Sequence, residues 1–90
     1  MYFIEFSKDG QKDIKKLKAH FPSCYEKTIK LLEEIKINPK TGTGKPEQLK
    51  HKDVPTWSRR ISEKHRLVYQ IEEDIVTVLV ISAYGHYDDK

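Results

Sequence analysis

The sequence predicts an α+β fold in which two N-terminal helices pack on one face of a small, mostly antiparallel four-stranded sheet. Two observations lead to it. The segment after Ser7 carries two amphipathic helical repeats, broken at Phe21-Pro22. The segment after Pro55 carries three strand-like runs separated by charged turns. With a short strand ahead of the helices, the order is β-α-α-loop-β-β-β, and such an order builds two layers with the helices on one side of the sheet.

Tyr2 to Phe6 is aromatic and β-branched in character and reads as the first strand. Ser7 is placed to cap the first helix. That helix carries Ile14, Leu17 and Phe21 on one side and lysines on the other. Pro22 and Ser23 open the second helix, with Ser23 and Glu26 at capping-box spacing. Its stripe is Ile29, Leu32 and Ile35, flanked by Tyr25 and Leu31. Asn38-Pro39 ends it, because a residue before proline is pushed out of the helical region. Residues 40–55 hold Gly42, Gly44, Pro46 and Pro55 and read as a long ordered loop. Loops of that length in a small domain are commonly functional or disordered. Trp57 to Ser62, His65 to Ile71 and Ile75 to Ser82 complete the sheet, the last apolar on both faces and therefore interior.

Alternation along the strands sorts their side chains. Trp57, Arg59 and Ile61 share a face, as do Leu67, Tyr69 and Ile71, and these apolar sets belong under the helices. Arg60 and Arg66 then point to the opposite, open face on adjacent strands. Arg59 fits the apolar side poorly and is expected near its edge. The loop bearing Glu47, Lys50 and His51 runs beside the open face, and His86 and Tyr87 follow the last strand.

Composition bounds the function. Ninety residues are enough for one domain, expected over residues 1–90. Charge is concentrated between Gly44 and Arg66: Lys45, Lys50, Lys52, Arg59, Arg60, Lys64 and Arg66 face only Glu47, Asp53 and Glu63. The chain's three arginines all fall there, and arginine is the planar donor suited to phosphate. A local positive field of this kind fits a polyanionic partner, and equally a solubilising surface. Cys24 is the single cysteine, so an internal disulfide is excluded. With no secretory signal pattern and no apolar run near the roughly 20 residues needed to span a bilayer, a soluble cytoplasmic protein without membrane contact is expected.

RNA cleavage needs a base for the ribose 2′-OH, a cation for the phosphoryl charge and an acid for the leaving 5′-oxygen. Glu47, the arginines and His86 are of the right types, as they would be in many basic proteins. No paired carboxylates or closely spaced His/Cys set suggests a metal, so neither metal nor cofactor is expected.

Three runs are more specific. Gly42-Thr-Gly-Lys-Pro-Glu-Gln-Leu-Lys-His51, Trp57-Ser-Arg-Arg-Ile-Ser-Glu-Lys-His-Arg-Leu-Val-Tyr69 and Gly85-His-Tyr87 resemble the YoeB/Txe toxins of the RelE/ParE superfamily, and length and element order fit as well. The resemblance implies a RelE-like fold and a type II toxin that cuts messenger RNA in the A site of the 70S ribosome. It also implies a YefM-like antitoxin and a homodimer. It matches Glu47 to the general base, Arg66 to the phosphate-stabilising arginine and His86 to the general acid. Lys50, His51, Arg60 and Tyr87 match substrate-binding positions. The alternative is a ParE-like toxin that blocks a protein such as gyrase without cutting RNA. His20 and His65 carry no case beyond packing or surface, and the tail extends past Tyr87 as Asp88-Asp89-Lys90, where some relatives end.

Overall fold

A computed structural model describes residues 1–85 of the chain. Its elements are β1 (Phe3–Phe6), α1 (Lys8–His20), α2 (Pro22–Ile37), β2 (Glu47–Gln48), β3 (Thr56–Arg60), β4 (Arg66–Glu72) and β5 (Thr77–Ser82), with a short 3-10 turn at Glu73–Ile75. The sheet order is β1-β5-β4-β3-β2. β1 runs parallel to β5, and the other neighbours are antiparallel. The α+β class stands, but the sheet has five strands where four were expected. The additional strand is two residues long and lies inside the Gly/Pro-rich loop. So short a strand has no alternation to read.

The helices begin for different reasons. Ser7 caps α1, its side chain accepting the Gly10 N–H at 3.0 Å. α2 has Phe21 at its N-cap position with no side-chain cap. Pro22 opens its first turn with φ already set, and Ser23 lies inside the helix rather than capping it. The buried stripe of α2 is Thr28, Leu31, Leu32 and Ile35. Ile29, expected in the core, is 36% exposed. Thr28 is on the inward stripe at helical spacing from Leu31, Leu32 and Ile35, and its hydroxyl donates to the Cys24 carbonyl at 2.8 Å, which satisfies the polar group within the helix.

Leu17, Leu31, Leu32 and Ile35 pack on Ile61, Leu67, Tyr69, Ile71, Val78, Val80 and Ala83, with Ile4 and Phe6 of β1 joining from the edge. This buries most of one sheet face, with Ile4, Phe6 and Trp57 left partly exposed. α1 approaches β5 so closely that a Cβ on Gly10 would lie 2.4 Å from the Val80 carbonyl oxygen. The opposite sheet face carries no helix. A shift of register between Val68 and Tyr69 leaves Ile81 as an extra residue on β5, a bulge at the end of the strand nearest the C-terminal segment. No helix among the described residues is long and apolar enough to cross a membrane.

Candidate functional site

The loop after α2 is tied down by a buried arginine. Arg59 has no exposed surface, so it lies inside the helix layer rather than at its edge. Its Nη1 donates to Glu34 Oε1 at 3.0 Å and to the Thr43 carbonyl at 3.2 Å. Its Nη2 donates to the Asn38 and Thr41 carbonyls, each at 2.7 Å. Its Nε donates to the Tyr69 hydroxyl at 3.1 Å, and that hydroxyl donates to the Pro39 carbonyl at 2.7 Å. A charge is tolerated in a core only when paired and bonded in this way. The hydrogen bonds that Glu34 accepts from the Thr43 amide and hydroxyl, together with the nearby Arg59, hold its carboxyl below the ordinary glutamate range despite partial desolvation. Burial outweighs the hydrogen bond and charge of Arg59 at Tyr69, whose phenol is pushed up.

From this anchor the chain runs to β2. The Arg60 amide donates to the Gly44 carbonyl at 2.7 Å, and the Leu49 amide to the Thr56 carbonyl at 2.8 Å. Between these bonds lie Glu47 and Gln48, paired with Ser58 and Trp57. Lys45 (φ 51°) and His51 (φ 61°) both adopt left-handed backbone. Non-glycine residues rarely do so, and such costs are held where the surroundings over-determine the chain, often near functional sites.

Register then places the candidates. Glu47 is opposite Ser58, and Ser58 is opposite Val68. Arg60, two residues beyond Ser58, is opposite Arg66. Glu47, Ser58, Arg60 and Arg66 therefore share the helix-free face. Directly opposed residues have Cβ atoms about 4.5–5.5 Å apart and diagonal ones about 7–8 Å. Arg60 thus faces Arg66 directly and Glu47 diagonally. Two like charges set opposite each other are unfavourable without a counter-ion. Among the described residues, no hydrogen bond or ion pair is made by the side chains of Glu47, Arg60 or Arg66. The Ser58 hydroxyl is buried beside Glu47 and has no hydrogen-bond partner among the described residues. Lys50 and His51 are exposed on the loop that follows β2. His86 and Tyr87 lie outside the described residues, but the chain reaches them from Gly85, whose carbonyl accepts the Arg66 amide at 3.0 Å.

The candidates sit on a helix-free face rather than in a pocket: Glu47 and Arg60 are exposed and Arg66 half-buried, while Ser58 and Val68 between them are buried. A cavity of about 460 Å³ lies elsewhere, between β1 and α2, lined by residues including Phe3, Ile29 and Leu32. Another, of about 610 Å³, is lined by Asp53, Glu72, Glu73 and Asp74, the wrong sign for a polyanion. None of the candidate residues lines either one. Among the described residues, no three His, Cys, Asp or Glu side chains are grouped as a metal site would require.

Two features were not visible in the sequence. Arg59 looked like a misfit on an apolar face, because its five acceptors come from residues 34–43 and 69. His65 looked like a packing residue, yet its ring nitrogen bonds the Gly85 amide.

Fold and face together define the class: a small α+β protein with a helix-free cationic sheet surface. Comparison with known proteins narrows it. A family model described as the YoeB-like toxin of bacterial type II toxin–antitoxin systems matches residues 6–87. The toxin YoeB of Escherichia coli (strain K12) is 42% identical over 62 residues, 69% of this chain and 71% of that protein. The YoeB dimer from Staphylococcus aureus has a TM-score of 0.84 at 33% identity, covering 96% of this chain and 98% of that one. The YoeB–YefM complex from the same organism has a TM-score of 0.80 at 33% identity, covering 97% and 99%. The chain belongs to the YoeB family of type II toxins.

Proposed function

We propose that this toxin is an endoribonuclease that cuts messenger RNA in the ribosomal A site without a metal ion. The observation that carries the reading is the convergence of Glu47, Arg60 and Arg66 on one helix-free sheet face, with no protein partner for their charges among the described residues. In this reading Glu47 takes the proton from the ribose 2′-OH, and the freed oxygen attacks the adjacent phosphorus. Arg66, with Arg60 opposite it, stabilises the charge gathering on the non-bridging oxygens. His86 protonates the departing 5′-oxygen. Lys50 and His51 hold backbone phosphate, and Tyr87 stacks on a base. The products are a 2′,3′-cyclic phosphate and a 5′-hydroxyl.

A flat face gives little purchase on free RNA, so the ribosome supplies the orientation. As in the S. aureus complex, a YefM-like antitoxin binds the toxin, here by laying an acidic segment over the cationic face. A homodimer, as in the S. aureus structure, and a cytoplasmic location complete the proposal.

Primer extension on message in a purified translation system tests it. Wild type should give discrete cuts in the A-site codon, and Glu47→Ala and His86→Ala should lose them by at least about 10²-fold. Intact message on programmed ribosomes, from a protein that still arrests growth, would sink the nuclease reading and favour blockade of a protein target.

A further inference from the structure

The imidazole of His65 does something that packing does not require. The residue is only 6% exposed and stands immediately before Arg66 at the start of β4. Its Nδ1 accepts the Gly85 amide at 2.8 Å. An accepting Nδ1 carries no proton, so the ring is neutral and its proton sits on Nε2. The next residue holds the other side of the same glycine, since the Arg66 amide donates to the Gly85 carbonyl at 3.0 Å. Both polar backbone groups of Gly85 are therefore bonded to consecutive residues, His65 and Arg66.

The ring itself is clamped. The Phe21 ring lies 5.0 Å from it and the Tyr84 ring 4.8 Å, centroid to centroid. The Lys16 ammonium sits 5.1 Å from the Tyr84 centroid. His65 also closes the β3–β4 turn, its carbonyl accepting the Ile61 and Ser62 amides at 3.0 and 3.1 Å. The acceptor is thus presented from a fixed ring on a fixed backbone. Gly85 has φ +79°, and a Cβ there would meet nothing within 4 Å. Glycine is needed at that position for its backbone angle, not for space.

We propose that His65 is a positioning residue: its neutral imidazole pins the Gly85 peptide and so fixes the direction in which the chain leaves β5 for its C-terminal segment. The consequence for activity rests on the nuclease reading, in which His86, the residue after Gly85, is the general acid. A proton donor displaced by about 1 Å can lose as much as 10²-fold in rate. Losing the imidazole acceptor leaves Gly85 held only through its carbonyl.

Two variants separate positioning from packing. His65→Phe keeps an aromatic ring against Phe21 and Tyr84 but offers no acceptor. His65→Asn loses the ring but places Oδ1 where Nδ1 stood. Amide hydrogen exchange at Gly85 reads the anchor directly. Slow exchange is expected in wild type and His65→Asn, and exchange faster by at least about 10-fold in His65→Phe. In single-turnover cleavage on programmed ribosomes, His65→Phe should lose about 10- to 100-fold in rate at little change in KM and Tm, and His65→Asn should recover most of it.

Unchanged Gly85 exchange in His65→Phe overturns the anchor, whatever the protein does to RNA. Fast exchange with a wild-type cleavage rate overturns the positioning role. Losses that follow Tm in both variants, with no recovery in His65→Asn, mean packing alone and also overturn it. If wild type cuts nothing, the nuclease reading falls by itself and the exchange result still decides the anchor. Should His65→Phe fail to fold, the imidazole nitrogen shifts of wild type decide it. Protonated Nε2 with bare Nδ1 is expected, and the reverse tautomer overturns it.

Discussion

Replacing Arg59 by methionine isolates the buried clamp that holds the loop ahead of Glu47. Methionine keeps much of the apolar stem and removes the five hydrogen bonds to Glu34, Asn38, Thr41, Thr43 and Tyr69. Removing one member of a buried ion pair costs about 3–5 kcal/mol. Here Glu34 keeps 39% of its side chain exposed, and Asn38, Thr41 and Thr43 are surface residues. Water therefore takes over part of the bonding that Arg59 supplied, and the lower end, about 3 kcal/mol, is expected. At about 4–8 °C per kcal/mol for a domain of this size, Tm should fall by about 12–24 °C. Arg59→Lys keeps the charge but cannot fork to the three carbonyls, and should cost about half as much.

Glu34, held by its hydrogen bonds from Thr43 first and by Arg59 second, also sets an acid limit. The folded-state carboxyl of Glu34 lies below its ordinary range, so its contribution is present above the usual glutamate pKa of about 4.3 and lost as pH falls through the lower folded value. Urea melts followed by circular dichroism at pH 7 and pH 3 measure both effects. The difference between wild type and Arg59→Met should narrow in acid. A Met variant within about 0.5 kcal/mol of wild type at pH 7 would refute the clamp.

Two other substitutions test the layers on either side of the sheet. Gly10→Ala raises helix propensity by about 1 kcal/mol, yet its Cβ would strike the Val80 carbonyl, so a net loss of about 1–3 kcal/mol is expected by thermal melt; a stabilised variant would mean α1 does not sit so close to β5. Arg60→Gln relieves the like-charge opposition to Arg66, so stability should hold or rise by up to about 1 kcal/mol. Binding of an RNA oligonucleotide, read by fluorescence anisotropy, should weaken, with a salt slope shallower by about 0.7 for each phosphate no longer neutralised. A variant less stable by more than about 1 kcal/mol would mean Arg60 serves the fold.

The α+β class and the element order were legible in the sequence because they rest on periodicity. Leu17, Leu32 and Ile35 repeat at helical spacing, and β3 and β4 alternate cleanly enough to assign Arg60 and Arg66 to one face. What stayed hidden depends on tertiary bonds. Ile29 is apolar, yet Thr28 lies on the stripe with Leu31, Leu32 and Ile35, and only the structure shows its hydroxyl satisfied by the Cys24 carbonyl. β2 exists through backbone pairing with β3, which composition cannot announce. Arg59 needed acceptors from residues remote in sequence before its burial made sense. The grouping of Glu47 with the arginines was visible only as motif resemblance; register supplies its geometry, while His86 and Tyr87 lie beyond the described residues.

Attack by a ribose 2′-OH on the phosphate held at this face is the central claim. It is tested most directly by two messages identical except for one 2′-deoxynucleotide at the mapped cleavage position, each loaded on programmed ribosomes with excess wild-type toxin. Cleavage of the all-ribose message to a 2′,3′-cyclic phosphate is predicted, with none of the deoxy-substituted one. Equal cleavage of both at the same position would contradict it.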